Sequence, residues 1–240
     1  MRWTAFIFPD RCPVCDGILD FGTGPGVCRG CRGQLSFVDG PACLCCGRAL
    51  DRSRAWAQDA LCRDCAERGR DFDGGIALLE YNEAAREIMA GLKYHNRRDH
   101  ADMLVQETVR RHGRKLLRLK ADAMVPVPVH SERLKERGYD QAKVIASSIG
   151  RRLGIPVDTG LLIREQNTIA QKKLGYAARQ RNEANAFVTS RPFAGYDRVI
   201  LVDDIYTTGA TAQMCTNALR GAGVKEVFLL NMAITPAGDS

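Results

Sequence analysis

Apolar residues gather in short unbroken runs after residue 74. The clearest are residues 75–81 (GIALLEY), 123–129 (AMVPVPV), 199–202 (VILV) and 225–232 (KEVFLLNM). Runs of this length without polar alternation read as strands buried on both faces, as in the middle of a parallel sheet. Between them the period becomes that of a helix. Ala85, Ile88, Met89 and Leu92 recur at i, i+3, i+4 and i+7 within residues 83–94. Residues 100–119 put Leu104, Val105 and Val109 on one face, and 139–153 and 212–221 are further helical runs. Strands alternating with helices predict an α/β fold, a mainly parallel sheet flanked by helices. Pro126 and Pro128 remove ladder donors, so the second strand is short or ends near Pro128. Residues 155–157, 161–163 and 187–189 are briefer strand candidates. Residues 164–185 are polar with no clean period, and read either as a mobile loop that serves as a lid or as an exposed amphipathic helix.

The first 70 residues lack this patterning and carry nine of the ten cysteines. Eight form four C-x-x-C pairs: Cys12/Cys15, Cys28/Cys31, Cys43/Cys46 and Cys62/Cys65. Each such pair sits on a tight turn that aims both sulfurs at one ion, and two pairs complete a tetrahedral site. The intervals of 12, 11 and 15 residues suit zinc ribbons. Gly17 and Gly47 follow the first and third pairs, where a knuckle turn can need positive φ. Sequential pairing is favoured, with a cross-braced arrangement left open, and Cys45 either replaces a neighbour or stays free. Too few apolar residues separate the knuckles to build a core, so metal supplies the folding energy. Four thiolates leave no position for a catalytic water, which makes these zincs structural. Residues 69–75 read as a hinge, giving a double zinc ribbon over 1–70 and an α/β domain over 71–240.

The strand 199–202 runs into Asp203 and Asp204, then Thr207-Thr208-Gly209-Ala210-Thr211, then a helix. A strand, a turn of small residues and a helix N-terminus present backbone N–H groups and hydroxyls to an anion. Two acids repel a phosphate but accept the paired hydroxyls of a sugar. A sugar phosphate satisfies both halves, with its diol on the acids and its terminal phosphate in the turn. The plain alternative is an ordinary turn with an acidic N-cap. The stretch resembles the fingerprint of type I phosphoribosyltransferases, which use phosphoribosyl pyrophosphate (PRPP). Upstream, Arg133, Lys135, Arg137 and Gly138 form a cationic loop suited to pyrophosphate.

Charge and size narrow the partners. The 240 residues carry a formal +7, but eight thiolates and two Zn2+ would lower this to +3. Overall charge is then weak support for nucleic acid binding, and local clusters matter more. The basic run Arg110, Arg111, Arg114, Lys115, Arg118 and Lys120 is either a solvated helix face or a phosphate-backbone track. No stretch reaches the roughly 18 apolar residues of a membrane span. The start lacks a secretion signal, which points to a cytoplasmic protein with reduced cysteines.

The whole chain is similar to the ComF family, associated with natural competence and DNA utilisation. The likeness rests on the four cysteine pairs, Leu92-Lys93-Tyr94, VPVP at 125–128, Arg137-Gly138-Tyr139-Asp140-Gln141-Ala142, then Gln171, Leu174, Arg179, Asn182 and Phe187, and VILVDDIYTTGAT. Asp140 departs from it, because the family more often has Asn there. The resemblance implies a type I phosphoribosyltransferase-like sheet preceded by a small zinc-ribbon module. It implies PRPP with Mg2+ at Asp203, Asp204, Thr207, Thr208, Gly209, Ala210 and Thr211, with Lys93, Arg137 and Gly138 near the pyrophosphate. It also implies single-stranded DNA handling in DNA uptake. An active phosphoribosyltransferase of unknown acceptor is the alternative, and a scaffold recruiting a helicase or other uptake partner is a third reading. The aromatic residues a single strand could stack on, Trp3, Trp56, Tyr94 and Tyr139, are scattered.

Overall fold

The computed structural model describes residues 10–19, 26–51, 60–94, 98–165 and 186–236. Strands β1 (Gly74–Glu80), β2 (Ala123–Pro126), β5 (Arg198–Tyr206) and β6 (Glu226–Ile234) form one parallel sheet in the order β1-β6-β5-β2. The two central strands are the most apolar, because each is covered on both faces. On one face, Ile200, Val202, Leu230 and Met232 pack against α3 (Glu83–Tyr94), α4 (Arg98–Arg118) and α6 (Gln141–Leu153). On the other, Val199, Leu201, Val227 and Leu229 meet Cys215 and Leu219 of α7 (Ala210–Gly221). Cys215 is thus a small buried apolar residue, as its helical position suggested.

Four local features refine or replace what the chain's pattern predicts, and the third bears out the brief strands expected at 161–163 and 187–189. First, β5 does not end before the acids. Strand β2 stops pairing at Val202, but β6 continues to Ile234 opposite Tyr206, so Asp203 and Asp204 lie within β5. Second, residues 131–137 are not a loop but α5 (Ser131–Arg137), opened by His130 accepting from Glu132 N and closed by Gly138 at φ 72. Its one apolar residue, Leu134, gives no periodicity to read. Third, β3 (Leu162–Arg164) and β4 (Phe187–Thr189) pair antiparallel, apart from the main sheet. Fourth, residues 155–157 contribute a single parallel bridge, Met124 to Val157, at the β2 edge. That edge tolerates Pro126, whose missing donor is followed by Val127 N bonding Val202 O at 2.9 Å.

The second ribbon is docked on the sheet's α7 side. It includes α2 (Arg63–Arg68), while α1 (Arg29–Arg32) belongs to the first ribbon. Cys43, Cys46, Cys62 and Cys65 share a cluster with Ala77, Val199 and Leu229. The stretch read as a hinge is tied down, with Asp73 N bonding Val227 O at 2.8 Å and Arg220 of α7 bonding Asp71 O and Asp73 Oδ2. Gly75 lets the knuckle backbone approach β1, and any Cβ there would lie 2.6 Å from Cys46 O. Gly75→Ala is expected to cost about 1–3 kcal/mol by overpacking, read as a lowered Tm with zinc content unchanged.

Candidate functional site

A cavity of about 260 Å3 opens at the carboxyl ends of β2 and β5, the position at which open α/β sheets bind ligands. Its floor is Asp203, Asp204, Ile205, Thr207 and Thr211, and Lys93 enters from the last turn of α3. Arg133 and Arg137 come from α5, Asp140 and Gln141 from the start of α6, and Arg164 from the end of β3. Among the described residues, four cations therefore face three acids across one opening. Of the predicted contacts, Asp203, Asp204, Thr207, Thr211, Lys93 and Arg137 line it. Thr208, Gly209, Ala210 and Gly138 are not among its lining residues. Gly209 is the N-cap of α7 at φ 76 with no side-chain cap bond, so an acidic cap is not what the acids provide. Thr208 Oγ1 accepts from Ala210 N at 3.4 Å.

The two acids have different surroundings. Asp204 pairs with Lys93 Nζ at 2.9 Å, both side chains being about one-fifth exposed (19% and 20%). Asp203 accepts from Asp204 N at 2.8 Å. Burial, and then the adjoining Asp204 charge, push the Asp203 carboxyl well above the usual carboxylate range. Asp140 is raised by burial too, although its two oxygens cap Lys143 N at 3.0 Å and hold Val129 N at 3.3 Å. The acid that departs from the family pattern is therefore a helix cap. Tyr139 OH and Gln141 Nε2 both donate to Leu92 O, at 2.5 and 3.3 Å, which fixes the end of α3 and with it Lys93.

Lys93→Met leaves Asp204 without its cation in a half-buried site. A loss of about 1–3 kcal/mol is expected, measured as a lower Tm at neutral pH.

The cysteines form two groups, Cys12/Cys15/Cys28/Cys31 and Cys43/Cys46/Cys62/Cys65, with ligand atoms in each within 4.8 Å of one another. Pairing is sequential, not cross-braced. A tetrahedral Zn–S distance near 2.3 Å requires sulfurs roughly 3.8 Å apart. Cys15 and Cys28 lie at 3.8 Å and Cys46 and Cys62 at 3.7 Å, so both groups fit structural zinc. Cys45 stays outside, its sulfur 3.9 Å from Phe72 O. Gly47 takes φ 81 as its turn requires, whereas in the first knuckle the positive φ falls on Asp16.

The basic end of α4 is partly spoken for. Arg110 and Arg111 both bond Glu107, and Arg111 also pairs with Asp39 and lies 3.5 Å over the Phe37 ring. Trp3, Trp56, Gln171, Leu174, Arg179 and Asn182 lie outside the described residues. No helix among the described residues is long and apolar enough to cross a membrane.

Two residues that touch the turn went unread in the sequence. Arg48 and Arg70 of the ribbon reach Thr207 O and Thr208 O. Arg48 lies just past Cys46 and Arg70 farther beyond Cys65, and neither carries another local signal.

Residues 3–66 match the double zinc ribbon domain family. Competence protein F of Haemophilus influenzae is 32% identical over 235 residues, covering 94% of this chain and 97% of that protein. The DNA utilization protein YhgH of Salmonella typhimurium is 30% identical over 223 residues, covering 87% of this chain and 97% of that protein. Among solved structures, the glutamine PRPP amidotransferase from B. subtilis, complexed with ADP and GMP, is 25% identical with a TM-score of 0.37, over 55% of this chain and 24% of that chain. With a third of its residues shared along nearly the full length of both chains, this protein belongs to the competence protein F (ComF) family.

Proposed function

We propose that this protein acts in DNA uptake or DNA utilisation, in the cytoplasm, through an α/β domain that binds PRPP or a related sugar phosphate. The observation that carries this is one cavity shared by an acid pair, a threonine turn and three arginines. The carboxyl oxygens of Asp203 and Asp204 would accept the ribose hydroxyls. The backbone of 207–211, at the N-terminus of α7, and the Thr207 and Thr211 hydroxyls would hold the 5′-phosphate. Arg133 and Arg137 face the space left for pyrophosphate, and Arg133 adds to the contacts expected there. Carboxylate oxygens and pyrophosphate suit Mg2+, which would neutralise the leaving group in any transfer of the sugar. Around such a ligand the chain's own contribution is orientation and charge placement, which calls for no dedicated nucleophile.

We place the ribbon at residues 1–70 and give it, with α4, the handling of single-stranded DNA. Arg32, Arg110 and Arg111 border one groove between the first ribbon and α4, with Glu107 on its wall and Arg111 stacked on the Phe37 ring.

Titration calorimetry with PRPP and Mg2+ tests the pocket. Saturable heat in the wild type, lost in Asp203→Ala/Asp204→Ala with zinc retained, is expected, and no heat in the wild type ends the reading. Adding bases and amines and following pyrophosphate release decides whether an acceptor is used. For DNA, log affinity against log salt should fall with a slope that shrinks in Arg32→Glu/Arg110→Glu; a flat line means no phosphates are engaged.

A further inference from the structure

The second zinc ribbon and the segment that follows it meet β5's end and the threonine turn at three points. Arg48 follows Gly47 directly, and its carbonyl accepts from Cys43 N at 2.7 Å, so the knuckle itself sets its position. Its side chain runs through the core, the residue being 5% exposed, and Nη2 donates to Thr207 O at 3.2 Å. Arg70 bonds Asp64, which stands between Cys62 and Cys65, and also donates to Thr208 O. The Tyr206 ring meets Phe72 edge-on at 6.3 Å between centroids, and lies beneath Gly209, where an added Cβ would be 2.6 Å from its Cζ.

These bonds orient the turn. The C=O and N–H of a planar trans peptide point in opposite directions. Drawing the Thr207 and Thr208 carbonyls toward the ribbon turns the N–H groups of Thr208 and Gly209 away from it. None of the described ribbon residues lines the cavity, although Thr207 does. The ribbon thus grips the carbonyl side of the turn and leaves the amide side for a ligand.

We propose that the second zinc ribbon is a positioning element for the anion-binding turn, with Arg48 and Arg70 coupling metal occupancy at Cys43/Cys46/Cys62/Cys65 to affinity for a phosphate group. The inference rests on the reading of the turn as a phosphate site. Coupling is reciprocal: zinc at the second site strengthens phosphate binding, and bound phosphate tightens that zinc by the same factor. The first ribbon has no such bond to the turn among the described residues.

The test uses the full zinc-loaded chain and Arg48→Met/Arg70→Met, with Arg48→Lys as the conservative control. The first readout needs no ligand: hydrogen exchange of the Gln213 amide, which donates to Gly209 O at 2.9 Å. Exchange about tenfold faster in the double variant, with both zincs retained and partial recovery in Arg48→Lys, is expected. The second readout is calorimetry with PRPP and Mg2+, with an affinity about tenfold weaker in the double variant. The third is equilibrium competition for zinc between the wild type and a chelator, in which PRPP should tighten one zinc and not the other. Unchanged Gln213 exchange in the double variant overturns the inference, even if Tm falls, because glue alone would lower Tm without loosening the turn. Should the double variant fail to fold, Arg70→Met carries the same exchange test. A wild type that binds no PRPP overturns the sugar-phosphate reading, while the exchange result still decides whether the ribbon orients the turn.

Discussion

Cys46→Ser is expected to leave one zinc per chain and to lower Tm by about 10 °C or more, whereas Cys15→Ser removes the other zinc and lowers Tm by only about 3 °C. The contrast comes from where the two sites sit. Cys43, Cys46, Cys62 and Cys65 are all buried in the cluster that covers β5 and β6. The first site belongs to a small satellite of Cys12, Leu19 and Cys31, and Cys15 is exposed. A structural zinc contributes roughly 10–16 kcal/mol in isolated finger peptides. A third of that, at roughly 2–4 °C per kcal/mol for a chain of this length, gives the expected drop. Losing the second metal also unseats Arg48 from the floor of the turn. Metal analysis with scanning calorimetry on both variants checks this. Equal Tm losses would mean that the docking of the second ribbon contributes no more than that of the first.

Asp203→Asn should weaken PRPP binding about 100-fold or more and yet raise Tm. Each hydroxyl accepted by an ionised carboxylate contributes roughly 1.5–3 kcal/mol, so losing two such bonds supplies the affinity loss. The stability gain follows from the raised carboxyl. The unfolded chain titrates near 3.8 and the folded chain higher, so the folded state holds more protons between the two values. Stability then falls as pH climbs through that window, and asparagine removes the slope. The gap in Tm between variant and wild type should open as pH rises above about 4 and close below it. Asp204→Asn makes the control, because it strands Lys93 and should lower Tm. Calorimetric titration together with Tm at acid and neutral pH separates the outcomes. A parallel loss of Tm in both variants would show that Asp203 serves the fold and not a ligand.

Much of this was legible in the chain. The apolar runs and their helical intervals required little more than periodicity, and helix α3 falls on residues 83–94 as read. Four C-x-x-C pairs announced two tetrahedral metal groups, because the spacing alone brings two sulfurs onto one turn. The acid pair and threonine turn were equally visible as a local string. Helix α5 was not, since its residues are nearly all polar and its boundaries depend on a histidine cap and a glycine in the left-handed region. The length of β5 was not legible either, because the partner that carries it past Asp204 is β6, which comes later in the chain.

Local spacing determined the kinds of chemistry present: thiolate sites, a sugar-and-phosphate string, an alternating α/β domain. Tertiary structure alone decided which cysteine pairs share a metal, which acid takes Lys93, and that Arg48 reaches a carbonyl 159 residues away. The reason is the range of the interactions. Periodicity and turn chemistry act within a few residues, whereas an ion pair or a buried guanidinium is chosen by what the packed sheet brings near it.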